Sequence, residues 1–251
     1  AQLRLNDRFI VHGLDSRADQ VQAARRRFLE SGQCGPVSAS LFDGARLPYV
    51  DNLANLIVSE APVSVPDEEI LRALAPLGVA MIGERRIVKP WPTEMDEWTH
   101  FLHGPDNNAV GKDKTAANPR SMQWVAEPQW GRSHEELASV SAAVTARGRL
   151  FFIVDEAPLA SIRFAGQWRL AARDAFNGVL LWEREIPLWT DHLRHFRSGP
   201  VHLPRRLAAE GETVYATLGL DAPVSALDAA TGETRRTYQG TEYAKEILVE
   251  D

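Results

Sequence analysis

The sequence predicts a partial α/β fold followed by all-β propeller blades, on three observations. Strand and helix patterns alternate over residues 1–89, the grammar changes beyond Lys89, and the second part repeats itself. Alternation of strands with helices implies a parallel sheet carrying helices on its faces. Short strands between Gly, Pro and Asp turns imply an all-β architecture.

Taken in order, "RFIVHGLD" (8–15) is an apolar run ending in Gly and Asp, as a buried parallel strand does. "SRADQVQAARRRFLESG" (16–32) sets Val21, Ala24, Phe28 and Leu29 at helical spacing, with Ser16 or Asp15 available as a cap and Gly32 as a stop. "PVSASLF" (36–42) and "LANLIVSE" (53–60) read as strands. "DEEILRAL" (67–74) is a helix with acidic residues in its first turn, where the helix dipole favours them. "APLG" breaks it, and "VAMIGE" (79–84) is the next strand. Residues 90–120, including "KPWPTEMDEW", read as a linker. From residue 121 onward only short strands follow: "SAAVTA", "RLFFIV", "WRLAARD", "VLLWERE", "RRLAAEG", "TVYATLG" and "VSALDAA".

The repeat lies in this last part. "LAARDAFNGVLLWERE" (170–185) matches "VSALDAATGETRRTYQ" (224–239), pairing Ala172 with Ala226, Asp174 with Asp228 and Gly178 with Gly232, an offset of 228 − 174 = 54. Upstream, Gly148 pairs with Gly211 at an offset of 63, so the first copy has the longer internal loop. Four strands in ~55 residues are the size of a propeller blade. The Asp caps backbone N–H groups two or three residues on, and the Gly takes the positive φ that a tight hairpin needs. Trp182, on the last strand of the first copy, is a large apolar contact that one sheet cannot satisfy alone. Arg236 holds the equivalent place in the second copy.

These residues resemble the repeat of quinoprotein (PQQ-like) β-propellers, Ala-x-Asp-x-x-x-Gly-x-x-x-Trp. Ala172, Asp174, Gly178 and Trp182 match four positions, and Ala226, Asp228 and Gly232 match three. The resemblance implies about two blades over residues 121–251, too few to close a ring. The chain is therefore expected to be a fragment whose remaining blades lie in a longer parent. Its start at Ala1, without Met, gives the same expectation.

"FIVHGLDSRADQVQAARRRF", "SLFDGARLPYVDNLANLIVSE" and "EILRALAPLGVAMIGE" resemble successive segments of class I S-adenosylmethionine-dependent methyltransferases. This implies a partial α/β Rossmann-like domain over residues 1–89. Asp15 would accept from the cofactor ribose, Asp43 would lie near the adenine, and Phe42 would pack on its ring. From the residues alone, Asp15 equally serves as a helix cap and Asp43 as a turn residue before Gly44. The family's Gly-rich loop has no counterpart here, Ala54-Asn55 replaces its Phe-Asp, and Leu77 replaces the first Gly of its Pro-Gly-Gly turn. The two parts with their junction "KPWPTEMDEWTHFLHGPDNNAV" resemble a class of large bacterial proteins that fuse such a domain to a PQQ-like propeller.

Composition limits the partners. With 251 residues, 44% of them hydrophobic, the chain can bury one large core or two smaller ones. A net charge of −6 argues against nucleic acid, which requires clustered cations. The pairs Arg205-Arg206 and Arg235-Arg236 and the run Arg25-Arg26-Arg27 read as solvated faces. Cys34 is the single cysteine, which excludes an internal disulfide and a cysteine-based metal cluster. No apolar run approaches the ~20 residues of a membrane span.

No metal site is expected. "THFLHGPD" brings His100, His103 and Asp106 close in sequence, but Gly104-Pro105 argues for a hydrogen-bonded loop rather than a rigid ligand set. "DHLRHFRSGPVH" supplies His192, His195 and His202, the densest candidate cluster, on a connection between repeats. "HEELA" (134–138) has Ala138 where a zinc-protease helix needs its second His. Quinone oxidation is unsupported within this chain. The favoured expectation is a binding or scaffold module that presents propeller loops to a protein or small molecule, beside a nucleotide-fold domain. The alternative is an enzyme, either an S-adenosylmethionine-dependent methyltransferase or a PQQ-dependent oxidoreductase.

Overall fold

The computed structural model describes residues 3–115, 118, 121–128, 131, 139–160, 163–190 and 200–250. The chain divides into two compact units, residues 1–92 and 93–251.

In the first unit β1 (Val11–Asp15) runs into α1 (Ala18–Glu30) and then β2 (Val37–Leu41), which lies parallel to β1 with Val11 opposite Val37. Helix α1 packs on this pair through buried Val21. Its N-cap residue is Arg17, whose N–H donates to Asp15 Oδ1 at 2.8 Å. Next come β3 (Ala54–Ser59), α2 (Asp67–Ala73), β4 (Leu74–Ile82) and β5 (Arg85–Val88). Strand β4 is parallel to β3 and antiparallel to β5. Ile70, Leu74, Ala80 and Ile82 form the core, with Phe42, Tyr49, Ile57 and Ile87 packed against it.

The Rossmann-like expectation is corrected here. The described residues hold only two α-helices, and β1–β2 and β3–β4–β5 are separate small sheets rather than one parallel sheet. Two local features account for this. "APLG", read as a break, is already strand: Leu77 takes φ +65°, and the β3–β4 register slips between Ala54 and Leu56. The chain then reverses at Gly83 (φ +57°), so β5 forms a hairpin where a crossover helix would extend a parallel sheet. The side of β3–β5 that carries Leu56, Val58, Met81 and Val88 stays exposed, whereas a doubly wound sheet is covered on both faces.

The second unit holds two four-stranded antiparallel sheets. One is β6 (Val140–Ala146), β7 (Arg149–Asp155), β8 (Trp168–Asp174) and β9 (Leu180–Ile186), paired in that order. The other is β10 (Leu207–Glu210), β11 (Thr213–Thr217), β12 (Val224–Asp228) and β13 (Thr234–Tyr238), also in order, preceded by a 3-10 turn at Leu203–Arg206. Both sheets shift register at the same place in the repeat, after Ala172 and after Ala226. One apolar core spans them, with Phe151, Ile153, Leu170 and Trp182 from the first sheet and Leu207, Val214, Ala216 and Leu227 from the second.

Candidate functional sites

The residues expected to hold a cofactor sit together at the ends of β1 and β2, and each makes local structure. Asp15 faces Leu41 across the pair, and its carbonyl accepts from the Phe42 N–H at 3.0 Å. Its carboxylate is taken up by Arg17, through the backbone bond above and an ion pair at 3.5 Å. Asp43 accepts from the Ala45 N–H at 3.0 Å, turning the chain before Gly44 at φ +88°. Phe42 packs on the core of the unit.

A side-chain relay that the sequence did not announce lies beside them. His12 Nε2 meets Ser40 Oγ at 2.9 Å, and His12 Nδ1 meets Tyr49 Oη at 3.0 Å. Burial, and secondarily the nearby Arg25, push the His12 pKa down, while burial raises that of Tyr49. Neutral imidazole then bridges two hydroxyls, binding β1, β2 and the Tyr49 loop across sequence gaps of 28 and 37 residues. Such gaps are invisible to a search for local motifs. The relay orders a nucleophile type and a base, but with a phenol in place of a carboxylate as orienting group.

In the second unit the repeat motif builds two near-identical turns. Asp174 Oδ1 accepts from the N–H groups of Phe176 and Asn177 at 2.8 and 3.0 Å; Asp228 Oδ1 accepts from Ala230 and Thr231 at 2.9 and 2.8 Å. Gly178 and Gly232 take φ +74° and +75° and donate to the carbonyls of those aspartates. Trp182 leaves the first sheet to dock on the second turn. Its indole N–H donates to the Ala229 carbonyl at 2.9 Å, and its ring lies where a Cβ on Gly232 would come within 2.6 Å. Gly232 therefore answers to two demands, the positive φ and the ring.

The same lock occurs once more, at a residue the sequence reading passed over. The Trp124 indole N–H donates to the Ala175 carbonyl at 2.9 Å, and a Cβ on Gly178 would come within 2.5 Å of its ring. Trp124 thus stands to the first turn as Trp182 stands to the second. "SMQWVAEP" lacks the Asp…Gly turn of the motif, so only tertiary geometry reveals its place. At Arg236 the lock is absent, and the guanidinium lies 4.7 Å from the centre of the Tyr238 ring.

The two junction histidines are buried and hydrogen-bonded. Backbone bonds of 3.1 Å run both ways between His100 and His103, and His103 Nε2 meets Asp96 Oδ2 at 2.6 Å. Burial opposes charge on Asp96, yet hydrogen bonds from the Lys112 N–H, His103 and the Glu97 N–H outweigh it and hold the carboxyl below its usual range. The neighbouring backbone joins edge strands of both sheets: Thr145 N–H donates to the Trp98 carbonyl at 2.7 Å and Ala209 N–H to that of Thr99 at 2.9 Å. His192, His195 and "HEELA" lie outside the described residues. His202 is described, and burial followed by Arg206 and Lys245 lowers its pKa. The positive field that repels a proton there also opposes a metal cation. Among the described residues no three His, Cys, Asp or Glu side chains converge on a metal site.

No helix among the described residues is long and apolar enough to cross a membrane. Compared with known proteins, the chain matches no family model and no curated protein.

Proposed function

We propose that residues 93–251 are a binding or scaffold module assembled from propeller-type repeat units. The observation that carries this reading is the repeated tryptophan lock, Trp124 on Ala175 and Gly178 and Trp182 on Ala229 and Gly232. A device that joins one repeat to the next serves assembly, and each sheet gains a neighbour for the face it cannot bury alone. The polar groups of the repeat support the same reading, because Asp174, Asp228 and the junction histidines are consumed in turns and strand contacts. The resemblance of the repeat to PQQ-like propellers fits it as well, since Gly178, Trp182 and Gly232 of the locks are motif positions.

The test separates this module from a quinone-dependent oxidoreductase. The chain is titrated with PQQ in the presence of calcium while tryptophan fluorescence is followed. The scaffold reading expects no saturable change; saturable quenching at micromolar quinone would replace it with the oxidoreductase.

A further inference from the structure

Arg205 and Arg206, a solvated pair by sequence, have opposite fates. Arg205 is ion-paired with Glu246 at 2.5 Å. Arg206 is 3% exposed. Its Nη1 donates to the Leu220 carbonyl at 2.7 Å, and among the described residues its Nε has no partner. Arg72, Arg149 and Arg169 each have a carboxylate oxygen within 2.9 Å. Among the described residues none lies within 4.0 Å of the Arg206 guanidinium. Beside it, one step past the Leu207–Ala216 pair, Thr217 is 1% exposed, and among the described residues its hydroxyl also lacks a partner.

A buried charge without a counter-ion is costly, and a buried donor without an acceptor adds to the cost. The guanidinium N–H needs an acceptor that carries negative charge, and the threonine hydroxyl can donate to the same group. Lys245 adds positive field beside His202, and among the described residues Asp221 is the one carboxylate whose charge acts on Arg206. A water molecule would satisfy the donors and leave the charge uncompensated, whereas an oxyanion answers both needs.

We propose that Arg206 and Thr217 form a binding site for a small oxyanion, of phosphate or carboxylate type, at the end of the β10–β11 pair. The site rests on these side chains and stands independently of the propeller reading. The guanidinium Nε–H supplies the charged donor, the threonine hydroxyl the neutral one, and Lys245 attracts the anion.

Thermal unfolding of the whole chain, at constant ionic strength with chloride exchanged for inorganic phosphate, tests it; acetate forms a second arm. Wild type is expected to gain about 4 °C in Tm along a saturating curve, from binding to the native state alone. Arg206→Met abolishes the gain, and without phosphate this variant is at least as stable as wild type, because an uncompensated buried charge has been removed. Arg206→Lys keeps the charge but loses the Nε geometry, weakening the half-saturation concentration about tenfold. Thr217→Val weakens it several-fold. A response to acetate instead of phosphate assigns the site to carboxylates. No gain in wild type with either anion overturns the proposal, as does an equal gain in Arg206→Met, which would mean an adventitious ion only. Marked destabilisation of Arg206→Met without anion would show the guanidinium already satisfied and would overturn it too. If Arg206→Met does not fold, Arg206→Lys and Thr217→Val decide: unchanged half-saturation in both refutes the site.

Discussion

His100 is held in one tautomer by its surroundings. The Val249 N–H donates to Nε2 at 3.0 Å, so the proton sits on Nδ1, which faces Thr99 Oγ1 at 2.8 Å. Thr99 in turn donates to the His103 carbonyl at 3.2 Å. A second proton on the ring would set N–H against N–H at Val249. Burial pushes the His100 pKa below 6.5, and Glu246 opposes this only in part. His12 and His202 are shifted the same way. With folded values below the unfolded one, the unfolded chain binds more protons between them, so stability rises with pH across that interval. It is present in full above pH 6.5 and falls as pH drops from 6.5 through the folded values. Thermal unfolding between pH 5 and 7 is expected to show this slope, and His100→Asn should flatten it. An identical slope in the variant would show that His100 carries none of it.

At the level of elements, the tryptophan locks join sheets whose strands already satisfy one another's backbones. Trp182 is 4% exposed and contacts the Phe151 ring, their centres 6.0 Å apart. Trp124 is only half-buried. Trp182→Ala is accordingly expected to cost about 3 kcal/mol, and Trp124→Ala about 1–2 kcal/mol because it removes less buried surface. Chemical denaturation of the two variants measures both. A negligible loss in Trp182→Ala would mean that the ring does not dock between the sheets. "DAFNGVLLW" and "DAATGETRR" spell their turns in full, because Asp and Gly act over two to four residues. "APLGVAMIGERRIV" misleads: strand β4 begins at Leu74, and the Gly83 hairpin returns β5 against it. Whether an apolar run after a helix ends in a crossover or a hairpin depends on which strand edge it meets, and pattern alone does not contain that.

For the second unit as a whole, one core runs through both four-stranded sheets, so neither should unfold without the other. The amides of Ile153 and Val214, both fully buried in different sheets, are expected to exchange with equal protection set by global unfolding. Native-state hydrogen exchange measures this, and a clear difference would show the sheets opening separately. The sequence itself determined the β-rich second part, the position and chemistry of both Asp…Gly turns, and the large side chain leaving the first repeat. Those features depend on bonds between near neighbours and on the period-two strand pattern. The tertiary structure alone decided that the first unit is two small sheets and not a Rossmann-like domain. It also decided that Trp124 belongs to the lock, that His12 bridges Ser40 and Tyr49, and that Arg206 is buried while Arg205 is paired. Each of these outcomes follows from long-range strand pairing and from burial. Residues as far apart as His100 and Val249 meet through them, and no stretch of neighbouring residues encodes such a meeting.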